Sequence, residues 1–200
     1  MSQLIVLVRH GRSQANFRKI LADYRDRYPL TPLGVTQART AAVELAKLRI
    51  EALFSSPVLR ARQTAGIIGR RLGLDVSLDV RLWERRFGRL AGTYHKKGMW
   101  RFTKAKFESF ESVHKRIMSF INSNKDIPCY AAVTHMDTIA NVLMKRWGQD
   151  EMSGFVIRPY EGTITLLERD GPKIRVLASG IPYLSEGVME RIPKKYRVEV

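Results

Sequence analysis

The chain carries four histidines, and two of them, His10 and His135, directly follow apolar runs. The first run is Leu4-Ile5-Val6-Leu7-Val8, closed by Arg9, His10 and Gly11, and the second spans Pro128 to Thr134. Such runs are too short for a buried helix and read as strands covered on both faces. In open α/β sheets ligands are held beyond the carboxyl ends of the strands. Two neighbouring strands would therefore bring both imidazoles to one edge, beside whatever follows Ser55-Ser56. That segment leads to Arg60 at the start of a helix. A helix N-terminus favours anions, and a guanidinium forks onto phosphate oxygens.

Two arginines (Arg9 and Arg60), two imidazoles and helix N-termini form a phosphate site that needs no metal. Nearby guanidinium charges disfavour protonation of an imidazole, which keeps His10 neutral. A neutral His10 could attack phosphorus and carry the phosphoryl group covalently until water removes it. Arg9, Arg60 and His135 would stabilise the equatorial oxygens. The leaving oxygen needs a proton, and Glu84, in a segment rich in Gly and Arg, is a candidate donor. Gly11 allows a tight turn and close approach of backbone to the bound group, and Ser13 can cap a following helix.

The elements that must position these groups alternate between strand and helix. Residues 12 to 30 read as a short helix and a loop. Thr31-Pro32 opens a helix with Val35, Ala38, Ala42, Leu45 and Leu48 on one face. Leu53 to Ser55 is a short strand. The next helix carries Ala61, Ala65, Ile68 and Leu72 inward and Gly73 just past its end. Residues 75 to 82 form a weak strand and 83 to 98 an irregular loop. A helix over about 99 to 122 turns Phe110, Val113, Ile117 and Phe120 inward, and another over about Asp137 to Trp147 buries Ile139 and Leu143. Thr163 to Glu168 and Lys173 to Ala178 form a hairpin about Arg169-Asp170-Gly171-Pro172. The alternation implies an α/β fold, a three-layer α/β/α sandwich on a mostly parallel sheet.

Two hundred residues with 44% hydrophobic content fit a single domain over residues 1–200, with residues 181–200 as a surface tail. No apolar run reaches membrane-spanning length, and the N-terminal run lacks the plan of a signal peptide, so the expected location is the cytoplasm. The one cysteine, Cys129, lies in an apolar strand and reads as an inert core thiol. His114 reads as a helix-surface residue, His95 as a loop residue, and Trp83, Trp100 and Trp147 as core or loop anchors. The formal net charge of +16 points to anionic partners. Residues 81 to 116 hold eleven Lys or Arg against three acids. They are a solvated face, a nucleic-acid footprint or the lining of the site mouth.

Five segments resemble, in order, the signature of the histidine phosphatase superfamily, which contains phosphoglycerate mutases and many phosphatases. They are Arg9-His10-Gly11 with Asn16, LTPLGVTQA at 30–38, SSPVLRARQTA at 55–65, LWERRFGRLAG at 82–92 and VTH at 133–135. The resemblance implies that His10 is the nucleophile and Glu84 the proton donor. It also implies that Arg9, Asn16, Arg60 and His135 bind the phosphoryl group and that no metal or other cofactor is needed. Two positions depart from the pattern: Met136 stands where the family usually has glycine, and Ala91 where relatives often carry a larger or polar residue.

The expected activity is a metal-independent phosphomonoesterase acting through phosphohistidine on a small, multiply anionic phosphorylated substrate. A mutase is the alternative within the family, suggested by Glu84-Arg85-Arg86. The short span between Glu84 and His135 opposes it, because the mutase branch carries a long insertion there. A binding protein for nucleic acid or acidic surfaces is the alternative of another class. The complete set Arg9, His10, Arg60, Glu84 and His135 argues against that, since a binding module needs no proton donor.

Overall fold

The first strand, β1 (Ser2–Arg9), is buried from Gln3 onward in the computed structural model, because it runs through the middle of a six-stranded sheet. The structure describes residues 2–25, 27–94, 107–146 and 159–198. Trp100, Trp147, His95 and the cations Lys96, Lys97, Arg101, Lys104 and Lys106 lie outside them. The other strands are β2 (Ala52–Ser55), β3 (Val76–Leu78), β4 (Cys129–Thr134), β5 (Ile164–Asp170) and β6 (Lys173–Ile181). The sheet order is β3-β2-β4-β1-β5-β6. The pairings β1–β4, β4–β2 and β2–β3 are parallel, and β5 runs antiparallel to both β1 and β6. The sheet is thus mostly parallel, with the hairpin at one edge turning at Gly171, whose φ is +56°.

Successive side chains of β1 point to opposite faces, and each face carries its own helical layer. Leu4, Val6 and Val8 meet Ala41 and Leu45 of α2 (Pro32–Leu45) and Ala61, Ala65 and Ile68 of α3 (Leu59–Leu72). Ile5 and Leu7 meet Ile117, Phe120 and Ile121 of α4 (Phe110–Ser123) and Ile139 and Leu143 of α5 (Met136–Arg146). Burying each aliphatic side chain contributes about 1.5–3 kcal/mol, so β1 is held from both sides. A short helix, α1 (Gln14–Phe17), follows β1. Cys129 is buried in β4 and its thiol pKa is pushed up to about 12, first by burial and then by the charge of Glu51. No helix among the described residues is long and apolar enough to cross a membrane.

Three expectations are corrected. Helix α4 starts at Phe110, not near 99: the Ser109 hydroxyl accepts the Ser112 N–H and fixes the start, so residues 107–109 precede the helix. The weak strand over 75–82 shrinks to β3 and a 3-10 turn (Val80–Leu82), because the Asp79 side chain accepts the Arg81 N–H and breaks the extended chain. Of the expected surface tail over residues 181–200, the described part, 181–198, is not loose. Its helix α6 (Glu186–Arg191) and the 3-10 turn Lys194–Tyr196 fold back onto the face that carries α2 and α3. Leu184, Ile192 and Tyr196 are buried there, and the Tyr196 hydroxyl donates to the Ser2 carbonyl.

Candidate active site

The strand register places the two imidazoles. In the parallel β1–β4 pair Arg9 lies opposite Thr134, so the next residue of each strand is His10 or His135. The His10 N–H donates to the Thr134 carbonyl at 3.0 Å, and the two rings sit edge to face, 5.1 Å apart. On the far side of β4, the Ser56 N–H donates to the Val133 carbonyl at 2.9 Å. This extends β2 to the same edge, where α3 begins and delivers Arg60 in its first turn.

Arg60 joins the two rings. Its Nε–H donates to His10 Nε2 at 3.1 Å, and its terminal nitrogen reaches His135 Nδ1 at 3.2 Å and the Ala22 carbonyl at 3.0 Å. The hydrogen bonds assign the tautomers. His10 Nδ1 lies 2.8 Å from the Gly11 carbonyl, so it carries the proton and leaves a lone pair on Nε2. His135 Nδ1 accepts from Arg60, so its Nε2–H donates to the Ser56 hydroxyl at 2.8 Å. Both imidazoles are driven well below their ordinary pKa. Burial is the main cause for each, followed by the charge of Arg60. Arg9 acts in the same direction on both. A neutral imidazole with its Nε2 lone pair beside a buried guanidinium can attack an electrophile drawn in by that guanidinium.

Gly11 is fixed by what crosses it. Its N–H donates to the Thr64 hydroxyl at 3.0 Å, and that hydroxyl donates to the Arg60 carbonyl at 2.9 Å. One threonine thus ties the turn carrying His10 to the helix carrying Arg60. A side chain on Gly11 would collide with the Gly34 carbonyl, and one on Gly34 with the Arg12 carbonyl. Backbone cannot yield as a flexible side chain does. Gly34→Ala is therefore expected to destabilise the fold by about 3 kcal/mol, read as a shifted urea midpoint. A variant of wild-type stability would show that the first turn of α2 is not packed against the histidine turn.

Asn16 completes a capping box. Its side-chain oxygen accepts from the Ser13 N–H (3.0 Å) and hydroxyl (2.7 Å), and the Ser13 hydroxyl caps α1. What Asn16 can present to an anion is its amide NH2. Arg9 runs toward the start of β5: it donates to the Pro159 carbonyl at 2.7 Å and to Glu161 at 3.3 Å. The Gly162 N–H meets the Arg9 and His10 carbonyls at 3.1 Å each.

Glu84 is buried at the mouth of α5. Its Oε1 accepts the N–H groups of Arg85 (2.9 Å) and Asp137 (3.2 Å). The loop holding it is pinned by Thr134, which donates to the Leu82 carbonyl at 2.7 Å, and by Thr138, which donates to the Trp83 carbonyl at 2.8 Å. Burial, and then the charge of Asp137, push the Glu84 pKa up to about 7, against the opposing pull of the Arg85 N–H, Arg60 and Arg9. A carboxyl with that pKa can both give and take a proton near neutrality.

The structure therefore brings Arg9, His10, Gly11, Arg60 and His135 together at one sheet edge and couples Glu84 to them electrostatically. Sequence reasoning missed Thr64, Glu161 and Asp137. Thr64 lies four residues after Arg60, one helical turn, which is a readable signal. Glu161 carries none: it reaches Arg9 only because β5 begins, antiparallel, beside the end of β1. The basic stretch 81–116 is less available than its count suggests. Arg81 pairs with Asp79 at 2.6 Å, and Arg116 and Arg86 pair with Glu108 at 3.0 and 3.7 Å. Arg85 donates to the Glu108 carbonyl and lies 4.1 Å over the Phe110 ring. His114 is half-buried on α4 and bonded to Asn141 at 3.0 Å, so it is not a plain surface residue. Trp83 stacks on Tyr24, with ring centroids 4.7 Å apart.

Six strands in this order, with two histidines and an arginine at one edge, define an α/β protein whose buried, cationic groups gather at the carboxyl ends of its parallel strands. The chain belongs to the histidine phosphatase superfamily (branch 1), which it matches over residues 5–181. It is 33% identical over 179 residues to a 2,3-bisphosphoglycerate-dependent phosphoglycerate mutase of Thermoplasma acidophilum, covering 83% of this chain and 88% of that one. Among solved structures, a mycobacterial glucosyl-3-phosphoglycerate phosphatase is 25% identical with a TM-score of 0.73, covering 87% of this chain and 96% of that one. Bacillus stearothermophilus YhfR, 20% identical, shares the fold with a TM-score of 0.80, covering 93% of this chain and 99% of that one. Relatives named as phosphatases and as mutases thus both resemble the chain.

Proposed function

We propose that the chain is a phosphomonoesterase that works through a phosphohistidine on a small, multiply anionic substrate, without a metal. One observation carries this reading. His10 is held as a buried neutral tautomer with Nε2 turned to Arg60, while Glu84 has a pKa of about 7. The phosphoryl group takes over the donors of Arg60 and is also met by Arg9, His135 and the amide of Asn16. His10 Nε2 bonds to phosphorus as the ester P–O bond breaks, and Glu84 gives its proton to the departing oxygen. Water then attacks the phosphohistidine. Glu84 takes a proton from that water, the P–N bond breaks, and inorganic phosphate leaves.

Relatives named as mutases support a second reading, phosphoryl transfer between positions of one substrate. In that reading Arg85 and Arg86 would hold the substrate's second anionic group. Here both are turned to Glu108, which favours hydrolysis. The high charge supports an anionic substrate, and the fully used active-site set argues against a nucleic-acid binding role. The test is a phosphomonoester screen in EDTA that includes phosphoglycerates and reads phosphate release and phosphoryl transfer separately. Release without transfer is expected, and kcat/KM for doubly anionic substrates should fall steeply between 0.01 and 0.15 M salt as the Debye length shrinks from about 30 to about 8 Å. Transfer as the dominant product would establish the mutase reading, and no turnover of any ester would remove both.

A further inference from the structure

The outer surface between α2 and α3 forms a groove of about 580 Å³, lined by Leu30, Val35 and Arg39 on one side and by Arg62, Gln63, Gly66, Ile67 and Arg70 on the other. Both helices start at the catalytic edge of the sheet and run away from it, so the groove follows α3 for the nine residues from Arg62 to Arg70, about 12 Å. Its floor is apolar, from half-buried Leu30, Val35 and Ile67, and its rim is three exposed guanidinium groups. Arg70 folds back over Gly66, which offers no side chain to block it: a Cβ there would meet the Arg70 guanidinium at 3.8 Å.

The charge here is uncompensated. Most exposed or half-buried arginines of the described residues are bonded to a carboxylate or a carbonyl, as are Arg25, Arg49, Arg81, Arg116, Arg169 and Arg175. No carboxylate among the described residues lines this groove. The larger cleft at the opposite edge of the sheet, about 970 Å³, differs in that respect, because Glu51 and Asp126 stand among its cations Arg49, Lys125, Arg169 and Lys195.

We propose that the α2–α3 groove is a docking site for an acidic amphipathic segment of a partner protein. Its apolar side chains would seat on Leu30, Val35 and Ile67, and its carboxylates would fork onto Arg39, Arg62 and Arg70. A bare phosphate chain would leave the apolar floor unused. Single-stranded nucleic acid relies on aromatic stacking platforms, and no aromatic residue among the described ones lines the groove. A second copy of the chain is disfavoured by its own net charge of +16. The groove's small size fits a weak, reversible contact.

The test is fluorescence anisotropy of a labelled peptide with leucines at helical i, i+4 and i+7 positions and glutamates elsewhere, titrated with the full chain. Arg39→Gln/Arg62→Gln/Arg70→Gln should weaken binding about tenfold or more, and so should Ile67→Ala, which tests the floor separately from the charge. Lys115→Gln/Lys173→Gln/Lys194→Gln, which removes the same charge from other faces, should change binding less than about twofold. A peptide of the same composition with its leucines scattered should bind about tenfold more weakly. Nitrophenyl phosphate turnover, expected at wild-type values, and thermal melts, expected at wild-type values for the charge variants and as a lowered but single cooperative transition for Ile67→Ala, show that each variant is folded. Equal loss in the two charge variants, or equal binding of the scattered peptide, would overturn the proposal in favour of bulk attraction. Tighter binding of tripolyphosphate or of a 20-nucleotide single strand at the same arginines would overturn it in favour of a phosphate ligand.

Discussion

His10→Ala is expected to lower phosphomonoester turnover by about four orders of magnitude or more, the scale seen when a covalent nucleophile is removed. The prediction rests on the position of the lone pair. His10 Nδ1 is bound to the Gly11 carbonyl, which leaves Nε2 as the atom turned to Arg60. His135 is oriented the other way: its Nδ1 faces Arg60 and its Nε2–H is given to Ser56. The two rings are therefore not interchangeable, and His135→Ala should not abolish formation of the phosphoenzyme as completely. Brief incubation of the wild-type chain with substrate followed by acid or alkali should show a phosphoenzyme stable to base and labile to acid. Its absence from His10→Ala, with a normal melting curve, is the expected result. Wild-type turnover in a clean His10→Ala preparation, or a phosphoenzyme of unchanged yield, would rule out His10 as the nucleophile. Burial and two guanidinium charges hold the His10 pKa well below 6.5, so protonation of this ring should not cause a fall in rate near pH 6.5.

The second large effect concerns Glu84 and depends on the leaving group. Glu84→Gln keeps the shape and can still accept the Arg85 N–H, but it has no acidic proton to give. Alkyl phosphates, whose alkoxide must be protonated as it leaves, should slow by about a hundredfold or more. The burst of nitrophenol from nitrophenyl phosphate, which leaves as a stable anion before the step in which Glu84 takes a proton from water, should keep its rate within about threefold. The pH profile has a definite sign. With a pKa of about 7, Glu84 is protonated below neutrality and loses its proton as pH rises. The rate on alkyl phosphates should therefore hold on the acid side of pH 7 and fall about tenfold per unit well above it. That alkaline limb should be missing from Glu84→Gln. Equal losses on both substrate types, or a limb that survives the substitution, would take the acid role away from Glu84.

Much of this site was legible in the linear sequence because its parts sit at strand ends. An apolar run that stops in a histidine marks the carboxyl end of a buried strand, and parallel strands put those ends on one edge. That local logic places His10 and His135 together, and Arg60 with them, since a helix must begin where β2 ends. The hairpin at Gly171 and the stop of α3 at Gly73 were readable for an equally local reason: both glycines take positive φ, which other residues avoid. The start of α4 was lost because helical spacing continues before Phe110, while the choice of cap rests on one serine hydroxyl.

The residue types themselves determined the chemistry available to this protein: two imidazoles, two guanidinium groups, one carboxyl group and a large positive charge. Only the tertiary structure decided which of those groups are usable and in what state. Arg81, Arg86 and Arg116 look free in the sequence and are committed to Asp79 and Glu108 in the fold. Arg39, Arg62 and Arg70 look no different and line a groove to which the described residues bring no carboxylate. The raised pKa of Glu84 and the lowered pKa of His10 come from burial and from charges brought near by strand pairing. The last residues, polar enough to read as a tail, are held because Ile192 and Tyr196 find an uncovered stretch of the same apolar face that α2 and α3 cover. Local rules act over a few residues and can be read in order along the chain. Desolvation and Coulomb terms depend on neighbours in space, and those exist only once the sheet has formed.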